Sequence, residues 1–168
     1  MFKLEVRIEG FYIVRLTTQT DYALRVLMHA ALAGTELDRI DAVAEDFSIS
    51  RNHISKVVHN LSANGYLQTV RGRNGGFRLA KSPGEISVGA VIRDFEPDFN
   101  LVECFDSAAS QCCIQKNCVL AGELDKALGA FLASLDGVTL SDLVRPRSSL
   151  RAQLGFTEMS QRAGVGGK

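Results

Sequence analysis

All four cysteines of the chain, Cys104, Cys112, Cys113 and Cys118, lie in one run, E-C-F-D-S-A-A-S-Q-C-C-I-Q-K-N-C-V-L, from Glu103 to Leu120. Thiols used as small core hydrophobes would be scattered, so this clustering points to a site. Soft thiolate ligands suit zinc or iron–sulfur centres. Structural zinc sites pair their cysteines at short C-x2-4-C spacings and need a fourth Cys or His. Here the spacing is C-x7-C-C-x4-C, and the three histidines, His29, His53 and His59, all lie upstream. Three usable thiolates with an open fourth place fit an iron–sulfur cluster carrying one reactive iron. Cys112 and Cys113 are adjacent, and both are not expected to bind one cluster. Cys118 opens a long helical pattern, where the positive helix end favours an anionic ligand. A zinc-stabilised module and an iron–sulfur redox carrier are the rival readings. The carrier reading lacks a nucleotide site and an acid–base pair beside the cysteines.

A second constellation precedes the first. From Arg51 to Lys81 the chain carries Arg51, Lys56, Arg71, Arg73, Arg78 and Lys81 and no Asp or Glu. From Glu85 to Asp142 ten acidic residues face only Arg93, Lys116 and Lys126. A basic half followed by an acidic half predicts a polyanion-binding surface beside a separate module. Ser50, Arg51, Asn52, His53, Ser55 and Lys56 cluster at the start of a helical pattern, where short polar and basic side chains reach base edges and phosphates. Arg71, Arg73 and Asn74 lie in a Gly-rich turn. Gly72, Gly75 and Gly76 lack the following helix that a nucleotide loop requires.

The elements that must position these residues are legible in the pattern. Thr18-Gln19-Thr20-Asp21 has the form of a capping box, with Asp21 as its carboxylate. Tyr22, Ala23, Val26, Leu27, Ala30 and Ala31 then recur at helical spacing up to Gly34. A short helix is expected at about 40–47. Another is expected at 51–63, N-capped by Ser50, with Ile54, Val57, Val58 and Leu61 inward. Residues 66–70 and 77–79 flank the Gly/Asn turn as a β-hairpin. Further helices are expected over 88–95, about 119–135 and 140–144. The stripe Leu120, Leu124, Ala127, Leu128, Phe131, Leu132 and Leu135 is wide enough to serve a partner subunit. Tyr66, Phe77 and Phe131 are read as core.

The fold class is therefore mainly α with a small β-hairpin: a winged helix-turn-helix plus a long dimerisation helix. Residues 14–84 form the DNA-binding unit, 85–145 the cluster loop and dimer helix, and 146–168 a flexible tail. Residues 1–13 alternate like an edge strand and stand apart from the helical pattern that begins at Thr18. They are expected to be an added strand, or a non-native extension if translation starts at Val14. With 168 residues and 46% of them apolar, the chain can build one core. Net formal charge is zero, so charge balance alone names no partner. No run approaches a membrane span or a signal peptide. A cytoplasmic location is expected, where clustered thiols stay reduced.

R-L-T-T-Q-T-D-Y-A-L-R at 15–25, S-R-N-H-I-S-K-V-V at 50–58, V-R-G-R-N-G-G-F-R-L at 70–79 and three spaced cysteines before a long helix resemble the Rrf2 family of bacterial transcription regulators. The likeness spans about residues 14–145. Within the family it is similar to the nitric-oxide-sensing repressors. The resemblance implies a homodimer on a palindromic DNA operator, with one cluster per subunit (4Fe-4S, with 2Fe-2S the alternative). Nitric oxide would nitrosylate the cluster and release the DNA. By position the ligands would be Cys104, Cys112 and Cys118. Asp21 of the partner subunit lies where one such repressor uses an aspartate as fourth ligand. Cys113 is a departure that puts the middle ligand in question. The long first gap also resembles iron-responsive regulators of the family.

Overall fold

The computed structural model describes residues 15–106, 108 and 110–156. The 1–13 extension and the residues after 156 lie outside that range. Among the described residues, seven α-helices and one hairpin follow in order: α1 Thr18–Ala33, α2 Ile40–Asp46, α3 Arg51–Ala63, β1 Leu67–Val70, β2 Gly76–Leu79, α4 Val88–Phe95, α5 Val119–Asp136, α6 Leu140–Leu143 and α7 Arg147–Gln153.

α1 is the central post. Ala23, Val26, Leu27, Ala30 and Ala31 are buried in the core, which also takes in Val43 of α2 and Ile54, Val57, Val58 and Leu61 of α3. Fully burying a side chain such as Leu27 or Ile54 stabilises the fold by about 1.5–3 kcal/mol. α3 begins and ends where its sequence says it should. Ser50 Oγ accepts from the His53 N–H at 3.4 Å, and Asn64 with Gly65 closes the other end. The turn before it is built on Ser48, at φ 54°, and on the Ile49 N–H donating to the Ala44 carbonyl.

β1 and β2 pair antiparallel, with Leu67 opposite Leu79 and Val70 opposite Gly76. The hairpin is anchored to the helices close to its turn, at the second residue of β2. The Asp38 N–H donates to the Phe77 carbonyl and the Phe77 N–H returns a bond to the Asp38 carbonyl, at 2.8 and 2.9 Å. This close approach requires Gly76, because a Cβ there would run into the Asp38 carbonyl.

α4 lies against both α1 and α5. Arg93 makes a two-point ion pair with Asp136, and Gly89 lets the end of α5 approach, since any side chain there would strike the Asp136 carboxylate. After α5 the chain folds back. Thr139 and Asp142 form a capping box for α6, and the Leu140 N–H donates to the Ile86 carbonyl.

Three expectations change. The cap of α1 is Thr17, whose hydroxyl accepts from the Thr20 N–H, so the cap is one residue earlier than the sequence suggested. Asp21 instead pairs with Arg25, one turn on. Phe131 is 47% exposed rather than core. Residues 147–153, expected in a flexible tail, form α7. Leu150, Leu154 and Phe156 pack on the core, and Arg147 donates to the Ala31 and Leu32 carbonyls at 3.0 Å. Those carbonyls end α1 without intrahelical partners, and the guanidinium satisfies them.

Candidate nucleic-acid interface and cysteine segment

The first turn of α3 presents its polar side outward. Arg51, Asn52, His53, Ser55 and Lys56 are exposed, while Ile54 and Val57 of the same stretch are buried. Ser50 uses its hydroxyl oxygen as the helix cap. Arg51 Nε donates to Asp41 of α2 at 2.5 Å, and both side chains are mostly in solvent. Such an exposed pair is worth about 0–1 kcal/mol, so a phosphate can displace the carboxylate at little cost. His53 stands beside the Tyr22 ring, with centroids 6.2 Å apart. Thr18, Gln19, Tyr22, His53 and Lys56 line a shallow depression between α1 and α3.

The hairpin turn carries Arg71, Arg73 and Asn74, all exposed. It is closed by the Gly75 N–H donating to the Gly72 carbonyl at 2.9 Å. Arg78 lies further down the strand and is held across it by two bonds to Gln68. The turn residues and the first turn of α3 are thus displayed by one body, tied through Asp38.

A group that sequence reasoning passed over sits under this body. His29 is fully buried, with Nδ1 2.6 Å from Asp38 Oδ2 and Nε2 2.8 Å from Asp46 Oδ2. A neutral imidazole can donate through only one nitrogen, whereas the imidazolium donates through both. Burial works against that charge. The hydrogen bond and charge of Asp38, joined by those of Asp46, outweigh it and raise the His29 pKa. The Phe156 ring packs on the imidazole, 4.6 Å between centroids. His29 therefore ties α1 to Asp38, whose backbone pairs with β2 near the hairpin turn, and to the end of α2. The one signal in the sequence was a lone histidine on an otherwise apolar helix face.

The cysteine segment between α4 and α5 is loop with two single turns, Glu103–Phe105 and Gln115–Asn117. Cys104, Cys112 and Cys118 are half-buried, Cys113 is exposed, and all four are free thiols. Gln115 organises the segment. Its side-chain amide donates to the Cys104 carbonyl at 2.8 Å, and its N–H donates to the Cys112 carbonyl at 3.3 Å. Its own carbonyl accepts from the Cys118 N–H at 3.5 Å. The three bonded cysteines are those matched by position to ligands, and Cys113 is left out. Glu103 adds a brace by accepting from the Gln111 N–H. Cys118 is the N-cap of α5, and its side chain makes no capping bond.

Among the described residues, no three His, Cys, Asp or Glu side chains stand close enough together to hold a metal. The four metal-ligand candidates are therefore not gathered in this structure. Asp21 is held by Arg25, with Arg25 Nε donating to Oδ1 at 3.0 Å. The donor set still fits an iron–sulfur cluster in kind: soft, reduced, partly accessible thiols in one segment, with their main chains joined at one residue.

α5 has no buried residue along its 18-residue length. Leu124, Leu128, Leu132 and Leu135 are half-buried, while Val119, Leu120 and Phe131 are 77%, 63% and 47% exposed. No described helix is long and apolar enough to cross a membrane.

Comparison with known proteins agrees with this layout. The family profile described as "Rrf2: Iron-dependent Transcriptional regulator" matches residues 16–146. An HTH-type transcriptional regulator NsrR from Geobacillus kaustophilus is 49% identical over 142 residues, which cover 84% of this chain and 97% of that protein. The B. subtilis global cysteine regulator CymR superposes with a TM-score of 0.61 at 24% identity, over 78% of this chain and 96% of that one. T. potens IscR gives 0.62 at 24% identity, over 82% and 88%. At that identity these two structures speak for the fold, which is the winged-helix architecture expected from the sequence.

Proposed function

The chain belongs to the Rrf2 family of transcriptional regulators, and from that premise we propose that it is a DNA-binding repressor controlled by nitric oxide through an iron–sulfur cluster. It is a regulator by family rather than an enzyme. The observation that carries the proposal is the joining of Cys104, Cys112 and Cys118 to Gln115, in a segment that ends on the N-cap of α5.

Cys104, Cys112 and Cys118 would hold the cluster, with Asp21 of the partner subunit as fourth ligand. For Asp21 this means exchanging its exposed Arg25 pair for iron. When bound, the cluster supplies an iron with an exchangeable coordination place, open to nitric oxide. The thiolates of this chain fix the loop 104–118 between α4 and α5. Residues 14–84 make up the DNA unit and 85–145 the sensing and dimerising unit.

Two copies would meet along α5, whose exposed Val119, Leu120 and Phe131 form an apolar surface without a cover in the single chain. A two-fold dimer presents two α3 helices to a palindromic operator, with half-sites about one helical turn, roughly 34 Å, apart. Ser50, Arg51, Asn52, His53, Ser55 and Lys56 would enter the major groove. Arg71, Arg73 and Asn74 would follow the backbone or the adjacent minor groove. Since Arg and Lys contacts to phosphate set much of the affinity, binding falls steeply with salt.

The long C-x7-C gap and the iron dependence named in the family's description favour a second reading, in which iron supply rather than nitric oxide is the signal. Anaerobic purification tests the cluster common to both. Brown protein with iron and sulfide supports it. Colourless protein with stoichiometric zinc would replace it with a zinc-stabilised DNA-binding protein.

A further inference from the structure

The last turn of α4 carries three polar links to three different elements. Arg93 pairs with Asp136 at the end of α5, through bonds of 2.5 and 2.8 Å. Asp94 Oδ2 accepts from the Tyr66 hydroxyl at 2.5 Å, and Tyr66 is the buried residue that leads into β1. Glu96 Oε1 accepts from the Thr17 N–H at 2.7 Å and from the Thr17 hydroxyl at 3.2 Å. Thr17 is the cap of α1.

Within four residues, one turn thus touches α5, the hairpin and the first turn of α1. The chain leaves this turn through Pro97 directly into the cysteine segment, which closes on the N-cap of α5. Along the chain the cysteine segment thus follows α4, whose last turn is bonded to the DNA-displaying body.

Each link has its own physical weight. The Thr17 N–H is one of the donors that a helix start cannot satisfy internally, and its hydroxyl also caps Thr20. Moving Glu96 therefore disturbs the entry of α1, which carries Tyr22 beside His53 of α3. Tyr66 is held on one face by the cation of Lys81, 5.5 Å from its ring centre, and at its hydroxyl by Asp94. Burial, with the carboxylate of Asp94 behind it, keeps the phenol protonated far above its ordinary range, so it remains a donor. Moving Asp94 takes away the acceptor of a donor that sits at the base of the hairpin. Neither Asp94 nor Glu96 belongs to the surface assigned to DNA or to the cluster.

We propose that residues 93–96 are the coupling element of the protein: Glu96 through Thr17, and Asp94 through Tyr66, transmit the state of the cysteine segment to α1 and to the hairpin. They are positioning residues, and their role rests on the cluster-controlled reading above.

The test compares operator affinity of one protein in two states. A duplex selected from a random-sequence pool by the anaerobic, cluster-loaded wild-type chain serves as probe. Dissociation constants are measured with loaded protein and with protein stripped by an iron chelator. In the wild type, stripping weakens binding by about tenfold or more, the scale of ordinary coupling between sites. Glu96→Ala and Tyr66→Phe keep wild-type iron content and a single cooperative unfolding transition, but their loaded-to-stripped ratio collapses to about twofold or less. Glu96→Gln keeps an oxygen that accepts from Thr17 and retains the wild-type ratio. Tyr66→Phe preserves ring packing, so it serves if Glu96→Ala folds poorly. A full wild-type ratio in both Glu96→Ala and Tyr66→Phe overturns the coupling role. A wild-type chain that binds equally well in both states refutes cluster control itself, a separate failure.

Discussion

The side-chain amide of Gln115 donates to the carbonyl oxygen of Cys104, 2.8 Å away, across eleven residues of chain. The same residue bonds through its backbone to Cys112 and Cys118. Groups that orient metal ligands from outside the ligand set commonly change metal affinity by about 10–100-fold when removed. Gln115→Ala is therefore expected to lose iron far faster than wild type on anaerobic gel filtration in chelator, while α-helix content stays the same. Equal iron retention would remove the Gln115 side chain, and its bond to the Cys104 carbonyl, from any role in holding the site.

The same geometry separates the two adjacent thiols. Cys104→Ala, Cys112→Ala and Cys118→Ala should each yield colourless protein, whereas Cys113→Ala, the exposed cysteine outside the Gln115 bonds, should keep iron and sulfide. Visible absorption of anaerobically purified variants decides it. A cluster that survives Cys112→Ala and disappears in Cys113→Ala would reverse the choice of middle ligand.

His29 makes stability depend on pH. Its folded pKa lies above the ordinary 6.5, so folding takes up a proton. That stabilisation is complete below about 6.5, the unfolded value, and is lost as pH rises through the folded value. Urea unfolding should show wild-type stability falling on the alkaline side of 6.5. His29→Ala leaves Asp38 and Asp46 facing each other without the cation, one of them buried, and should cost about 3–5 kcal/mol. It should also lack most of that slope. A variant with the wild-type pH profile would mean that another group titrates.

Phe156 reports on the C-terminal helix. It is buried against His29, and the nearby Arg151 guanidinium lies 4.8 Å over its ring. Phe156→Ala should destabilise by about 3–5 kcal/mol, as for other buried aromatics. An unchanged urea midpoint would return residues 147–156 to the status of a tail.

Much of this was legible in the chain because the signals were local. Ser50 before Arg51, Asn64-Gly65 after Ala63 and the glycines between Val70 and Phe77 each fix an element through chemistry within a few residues. What stayed hidden depends on partners far along the sequence. The cap of α1 was misplaced by one residue because Thr17 and Thr18 are equivalent in pattern, and the choice is made by Glu96, 79 residues away. Residues 147–156 lack a strong apolar period, yet Arg147 reaches carbonyls of α1 more than a hundred residues back. His29 read as one histidine among apolar neighbours, because its carboxylates sit on the next loop and the next helix. Phe131 fits a core stripe by spacing but is left outside it, since α5 packs mainly on one neighbouring helix, α4.

Whether nitric oxide releases DNA through iron–sulfur chemistry in the cysteine segment is decided by a gel shift under anaerobic conditions. Cluster-loaded protein is placed on its selected operator duplex, and nitric oxide is added in steps up to several molecules per cluster. The shifted band is expected to disappear as nitric oxide approaches cluster stoichiometry, and Cys104→Ala protein is expected to show no such response. Retention of the band at full nitrosylation, with loss on iron chelation alone, would contradict nitric oxide as the signal.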